Sequence, residues 1–191
     1  RPVFILGESM GADVAIQAAG AKPDLGLTGL VLAAPGAVSD AMRRMLWGFL
    51  IKLLRIIAPN GEVKIERLSG QEFTAAGAIR LLCDPLVLRS VRPAMAAGLF
   101  DLAVSTVSAA RQVSVPTLTM IGSKEDFLYA KCIEHLHGAL VGPKSWRVFE
   151  GGPHLLLHWR RAETVLEAFV DWIDAQLDES GPDRHSRHAA S

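Results

Sequence analysis

Five residues near the start of the chain, Gly7-Glu8-Ser9-Met10-Gly11, set a hydroxyl between two glycines directly after the apolar run Phe4-Ile5-Leu6. A serine is a poor nucleophile at neutral pH unless a base takes its proton and a carboxylate orients that base. The spacing is what makes this serine a candidate. G-x-S-x-G marks a tight turn from strand to helix that projects the hydroxyl above a sheet, beside the positive end of the following helix. Glycines two positions before and after the serine let strand and helix approach without side-chain clash. Chance supplies about 0.1 such matches in a chain of this composition. The Met10 N–H, directly after the serine, is the expected donor to an oxyanion.

On such a turn the partners follow in the order serine, acid, histidine, each on a loop beyond a strand. Six histidines compete for the base. His135 and His137 sit in the helical stretch "CIEHLHGAL", His185 and His188 lie in the polar tail, and His158 comes one helical turn late. His154, in "EGGPHLLLH", follows a strand end through a Gly-Gly lead and is the expected base. For the acid, "MIGSKEDFLY" offers two candidates. Counting from Gly122 favours Glu125, whereas side-chain type favours Asp126.

These side chains need a scaffold. "PVFIL", "LTGLVLAAP", "VPTLTMIG" and "SWRVFEGG" read as four strands, the first as a buried strand of a parallel sheet. "ADVAIQAAGA" reads as a small-residue helix packed close to the first strand, and "AETVLEAFVDWIDAQL" as a surface helix. Strands alternating with helices predict an α/β fold with a mostly parallel sheet.

Between the second and third strands lie roughly eighty residues with no strand signal. They open with "DAMRRMLWGFLIKLLRIIAP", in which Arg44, Gly48, Lys52 and Arg55 share one helical face. Met45, Leu46, Phe49, Leu50, Leu53, Leu54 and Ile57 fill the rest. Its cations exclude a membrane span. Two readings stand: a helix buried against its neighbours, which we prefer, or a lid that touches lipid or a membrane surface.

The 20 basic and 20 acidic side chains cancel, which argues against a nucleic-acid binder and for a neutral or apolar substrate. Cys83 and Cys132 make no disulfide framework and read as reduced thiols of a cytosolic protein. The first residues do not resemble a signal peptide. No metal cluster, phosphate loop or dinucleotide motif is present, so no cofactor is expected. The oligomeric state is not legible.

These stretches resemble the α/β-hydrolase superfamily, within it the bacterial monoacylglycerol lipase or lysophospholipase-like serine hydrolases. The likeness runs from "FILGESMGADVAI" through "GLVLAAP" and "CDPLVLRSVRPAMAAGLFDL" to "VPTLTMIGSKED" and "GGPHLLLHWRRAETVLEAFVDWI". The resemblance implies an α/β-hydrolase fold: an eight-stranded, mostly parallel sheet with a helical cap inserted between the sixth and seventh strands. Ser9 then falls after the fifth strand, so this chain corresponds to the C-terminal part of a longer enzyme, and the second oxyanion donor lies outside it. Residues 1–36 and 106–178 are expected to form the hydrolase core, 37–105 the cap, and 179–191 a disordered tail. The implied nucleophile and base are Ser9 and His154, with Glu125 or Asp126 as acid. The implied activity is hydrolysis of lipid esters through an acyl-enzyme, on a small lipid-like ester substrate; the lid reading of the amphipathic helix would add a transient membrane-surface contact through the cap. For these residues alone, weak or no activity is expected. An aminopeptidase, thioesterase or haloperoxidase-like activity on the same fold, or a non-catalytic truncated chain, are the rival readings.

Overall fold

The structure is a computed structural model that describes residues 1–38, 40–64, 73–125, 128 and 130–180. In chain order the elements are β1 (Phe4–Glu8), α1 (Met10–Ala21), β2 (Gly29–Ala33), α2 (Ala41–Ile57), β3 (Val63–Lys64), α3 (Ala75–Cys83) and β4 (Ser90–Val91). They continue with α4 (Pro93–Ala110), β5 (Thr117–Gly122), α5 (Ala130–Ala139), β6 (Lys144–Phe149), a 3₁₀ turn at Leu156–His158, and α6 (Ala162–Ser180). The four expected strands pair in the order β1-β2-β5-β6, all parallel. Register runs from Phe4 opposite Gly29 to Glu8 opposite Ala33, and from Leu30 opposite Thr117 to Ala33 opposite Met120.

Strand periodicity splits the core into two layers. Leu30 and Leu32 face Ile16, Val107, Val113 and Leu136, on the side of α1, α4 and α5. Val31, Ala33, Leu118 and Met120 face Leu156, Trp159 and Val165, on the side of the 3₁₀ turn and α6. The central strands β2 and β5 are buried along their whole length, which is why β2 reads as a continuous apolar run and β5 carries only the small polar Thr117 and Thr119 among its apolar residues. β1 lies at the edge of the sheet in this chain, with Leu6 40% exposed.

The stretch between β2 and β5 departs from the sequence reading in three respects. It contains a two-stranded antiparallel pair, Val63 opposite Val91 and Lys64 opposite Ser90, too short to give a periodic signal. The expected boundary at residues 105 and 106 falls inside α4, whose later residues Thr106, Val107 and Ala110 are buried. α2 rests on α4 along a narrow line, with Phe100 beside Gly48, which had been placed on the polar face. Its wide apolar side stays open: Met45, Phe49 and Ile57 are each about two-thirds exposed, so the preferred buried reading is corrected. α4 is long and apolar enough to cross a membrane by composition, yet here it packs on α1 and α2. α6 runs to Ser180, past the expected tail start at Glu179, and residues 181–191 lie outside the described residues.

Candidate active site

Ser9 occupies the single residue between β1 and α1, with φ 54° and ψ −124°. Among the described residues only Ala34 shares a positive φ without being glycine. Such a backbone is costly for a residue with a side chain and persists only when its surroundings hold it. Those surroundings are visible: the Ser9 N–H donates to Ala33 O at 2.8 Å, and the Ala12 N–H donates to Ser9 O at 2.9 Å. Gly7 makes the turn sterically possible, since a Cβ there would lie 2.5 Å from Gly11 O and 2.6 Å from Ala12 Cα. Gly11 departs from expectation, for a Cβ on it would meet nothing within 4 Å. Met10 opens α1 with its side chain half exposed. Its N–H, in the first turn, has no partner within the helix.

His154 reaches Ser9 from 145 residues away. Its Nε2 lies 2.8 Å from Ser9 Oγ, and its Nδ1 lies 2.7 Å from Glu125 Oε2. With the proton on Nδ1, the imidazole donates to Glu125 and its Nε2 accepts the serine hydroxyl. Both the His154 and Glu125 side chains are almost fully buried, at 3% and 2% exposure. The other carboxylate oxygen of Glu125 accepts the Leu128 N–H at 2.8 Å, which fixes its orientation. Asp126, the second acid candidate, lies outside the described residues.

The loops that carry acid and base are fastened to each other. The Ser123 N–H donates to Phe149 O and the Lys124 N–H to Gly152 O, both at 2.9 Å. Gly122 permits this approach, because a Cβ there would collide with the Gly152 and Pro153 carbonyls. Ser123 Oγ donates to Glu150 at 3.0 Å and accepts the Gly151 N–H at 2.8 Å. Sequence reasoning overlooked Ser123, Glu150 and also Glu8, whose carboxylate accepts the Leu157 N–H at 2.9 Å. For Glu8 a signal existed, since it is the variable residue of the motif next to the nucleophile candidate.

The rival histidines are placed elsewhere. His137 pairs with Thr119 at 2.9 Å and meets the Trp146 ring edge to face, its basicity lowered by burial. His135 lies on the same helix, α5. The His158 carbonyl accepts the Thr74 N–H at 2.9 Å, joining the start of α3 to the core. His185 and His188 lie outside the described residues. Among the described residues no group of His, Cys, Asp and Glu could hold a metal ion.

A family model described as serine aminopeptidase, S33, matches residues 1–159. The chain belongs to this hydrolase family. Three solved structures place the S33 chain among α/β-hydrolase folds. It superposes on Paleococcus ferrophilus monoacylglycerol lipase at 21% identity with a TM-score of 0.74, covering 92% of this chain and 69% of that one. For a soluble variant of Saccharomyces cerevisiae monoglyceride lipase the values are 16%, 0.71, 91% and 64%. For a thermostable carboxyl esterase from Bacillus coagulans they are 17%, 0.67, 91% and 64%. At such identities the likeness is one of fold, and this chain spans about two-thirds of the length of those structures. No curated protein matches the sequence.

Proposed function

We propose that this chain supplies the nucleophile, base and acid of a serine hydrolase that cleaves carboxylic esters of lipids. The observation that carries the proposal is the relay Ser9 Oγ to His154 Nε2 at 2.8 Å and His154 Nδ1 to Glu125 Oε2 at 2.7 Å. His154 takes the Ser9 proton as Oγ attacks the acyl carbonyl, and the Met10 N–H donates to the developing oxyanion. The ester C–O bond then breaks, and the alcohol leaves with the proton held on His154. Water, losing its proton to His154, attacks the acyl-enzyme; the fatty acid departs and Ser9 Oγ regains a proton. Glu125 holds the imidazole in the required tautomer and faces its positive charge.

A monoacylglycerol or lysophospholipid is the substrate we favour, supported by the apolar cap and by the lipase names of two structural neighbours. α2 is read as the surface that meets lipid. Trp47, Phe49, Ile56 and Ile57 are half or more exposed, and its sequence carries four cations and no acid. The family's description favours a second reading, release of an N-terminal amino acid by the same relay.

A fluorophosphonate probe tests the core of the proposal: it is expected to label the full-length protein and to leave Ser9→Ala untouched. Absence of label on the unaltered protein would end the hydrolase reading. A panel of monoacylglycerols, lysophospholipids and aminoacyl arylamides then separates the two substrate classes. Turnover of the arylamides alone would overturn the lipid assignment. Sedimentation with anionic vesicles, lost in Phe49→Ser and Ile56→Ser together, tests the role given to α2.

A further inference from the structure

Glu8 takes no part in the proton relay, yet it ends β1 with its carboxylate turned toward the loop that carries His154. Its Oε1 accepts the Leu157 N–H at 2.9 Å. Leu157 belongs to the 3₁₀ segment Leu156–His158, whose preceding residue, Leu155, offers no side-chain acceptor. The first N–H groups of a helical turn need an acceptor from elsewhere, and Glu8 supplies it. Burial raises the Glu8 carboxyl above its ordinary range, while the Leu157 N–H and the charges of His158 and His154 act the other way.

Two consecutive residues of the nucleophile turn therefore hold two points of one loop: Ser9 meets His154, and Glu8 meets Leu157. The loop is entered through Gly151, at φ 73°, and Gly152, where the Gly151 N–H to Ser123 Oγ bond and the Lys124 N–H to Gly152 O bond fasten it. Beyond His154 it is anchored by Leu156 and Trp159, both buried against the sheet. The imidazole sits between these two fastened ends, and Glu8 ties the exit directly to the nucleophile turn.

We propose that Glu8 is a positioning residue: its carboxylate clamps the Leu157 backbone so that His154 Nε2 stays within hydrogen-bond distance of Ser9 Oγ. The inference rests on the reading of Ser9 and His154 as nucleophile and base. A misplacement of about 1 Å in a reacting pair costs on the order of 100-fold in rate. Glu8→Ala removes the acceptor, whereas Glu8→Gln keeps a carbonyl oxygen of the same reach without the charge.

The test compares the full-length protein with Glu8→Ala and Glu8→Gln by the rate of fluorophosphonate labelling at Ser9 and by amide hydrogen exchange at Leu157. Glu8→Ala is expected to label roughly 10- to 100-fold more slowly, and its Leu157 amide to exchange at least about tenfold faster. Glu8→Gln is expected to stay within about threefold of the unaltered protein in both. Labelling of Glu8→Ala at the unaltered rate, or unchanged exchange at Leu157, overturns the clamp. A fall in Glu8→Gln as deep as in Glu8→Ala overturns it too, since charge rather than the hydrogen bond would then matter. If Glu8→Ala fails to fold, Glu8→Asp, one methylene short of Leu157, takes its place with the same expectation. Failure of the unaltered protein to label strikes the nucleophile assignment instead, and Leu157 exchange still decides the clamp.

Discussion

Leu32 and Phe49 are both large and apolar, yet Leu32 is fully buried and Phe49 is 65% exposed. The contrast extends to the regions they represent. In the sheet, the central strands β2 and β5 are each paired on both edges and buried along their whole length, so an apolar residue there has partners in every direction. In the stretch between β2 and β5, α2 touches α4 along one line and leaves the rest of its apolar surface open. Apolar character therefore carries two meanings in this molecule. In the sheet it fixes the loops that hold Ser9, Glu125 and His154, and on α2 it presents a face.

The largest expected effect lies at the loops. In Glu125→Gln the carbonyl oxygen can still accept the Leu128 N–H, but the amide NH₂ then confronts His154 Nδ1. Nδ1 must become the acceptor, which moves the ring proton to Nε2 and leaves nothing to receive the serine hydroxyl. Ser9 labelling or ester turnover should fall by about 10³- to 10⁴-fold. Thermal unfolding should shift little by comparison. A loss under tenfold would show that Asp126, not Glu125, orients the base.

Next comes the sheet itself. Leu32→Ala deletes a side chain with 0% exposure from the layer shared with α1, α4 and α5. The lost transfer energy and the residual cavity together should destabilise the fold by about 3–4 kcal/mol, measured by urea unfolding. A loss under about 1 kcal/mol would mean that the layer relaxes as readily as α2.

The same contrast explains what could be read without coordinates. The strands were legible because β2 and β5 are buried on both faces and their residues are almost all apolar. Ser9 and His154 were marked by turn chemistry and by order along the chain, which spacing records, whereas Glu125 was marked only as one of two adjacent acids with Asp126. The exposed face of α2 was not, since a buried and an open amphipathic helix share one periodicity and differ only in whether a neighbour covers them. The β3–β4 pair escaped because two residues cannot show alternation. Glu8 escaped for another reason: its place beside Ser9 in the motif was a signal, but its partner is a backbone N–H 149 residues away, which no side-chain type announces.

Asp13 sits at the seam between the two regions, on α1 but against the loop that leads into α2. It is 4% exposed, packs its Oδ2 against Gly36, and has an Oδ1 with no partner. Burial pushes its carboxyl up to about 8, the Gly36 backbone opposing the rise. The folded chain then holds this proton more tightly than the unfolded chain. Its stabilisation is complete below about pH 4 and is lost as pH climbs toward 8. The loss should amount to something on the order of 2–3 kcal/mol between pH 5 and 8. Asp13→Asn keeps an oxygen for Gly36 without the titration, so its urea midpoint should change less with pH. Parallel pH profiles for the two proteins would show that Asp13 is solvated and that the seam is looser than its packing suggests.

The smallest expected effect decides whether the two regions truly differ. Phe49→Ser removes an aromatic ring from the open side of α2, where solvent already surrounds most of it. Serine is a slightly weaker helix former, and the ring's remaining contacts are few, so stability should stay within about 0.5 kcal/mol of the unaltered protein. A destabilisation of about 3 kcal/mol, matching Leu32→Ala, would mean that this face is covered in solution. An unchanged urea midpoint would leave the ring free to act outward, where α2 meets whatever lies beyond the fold.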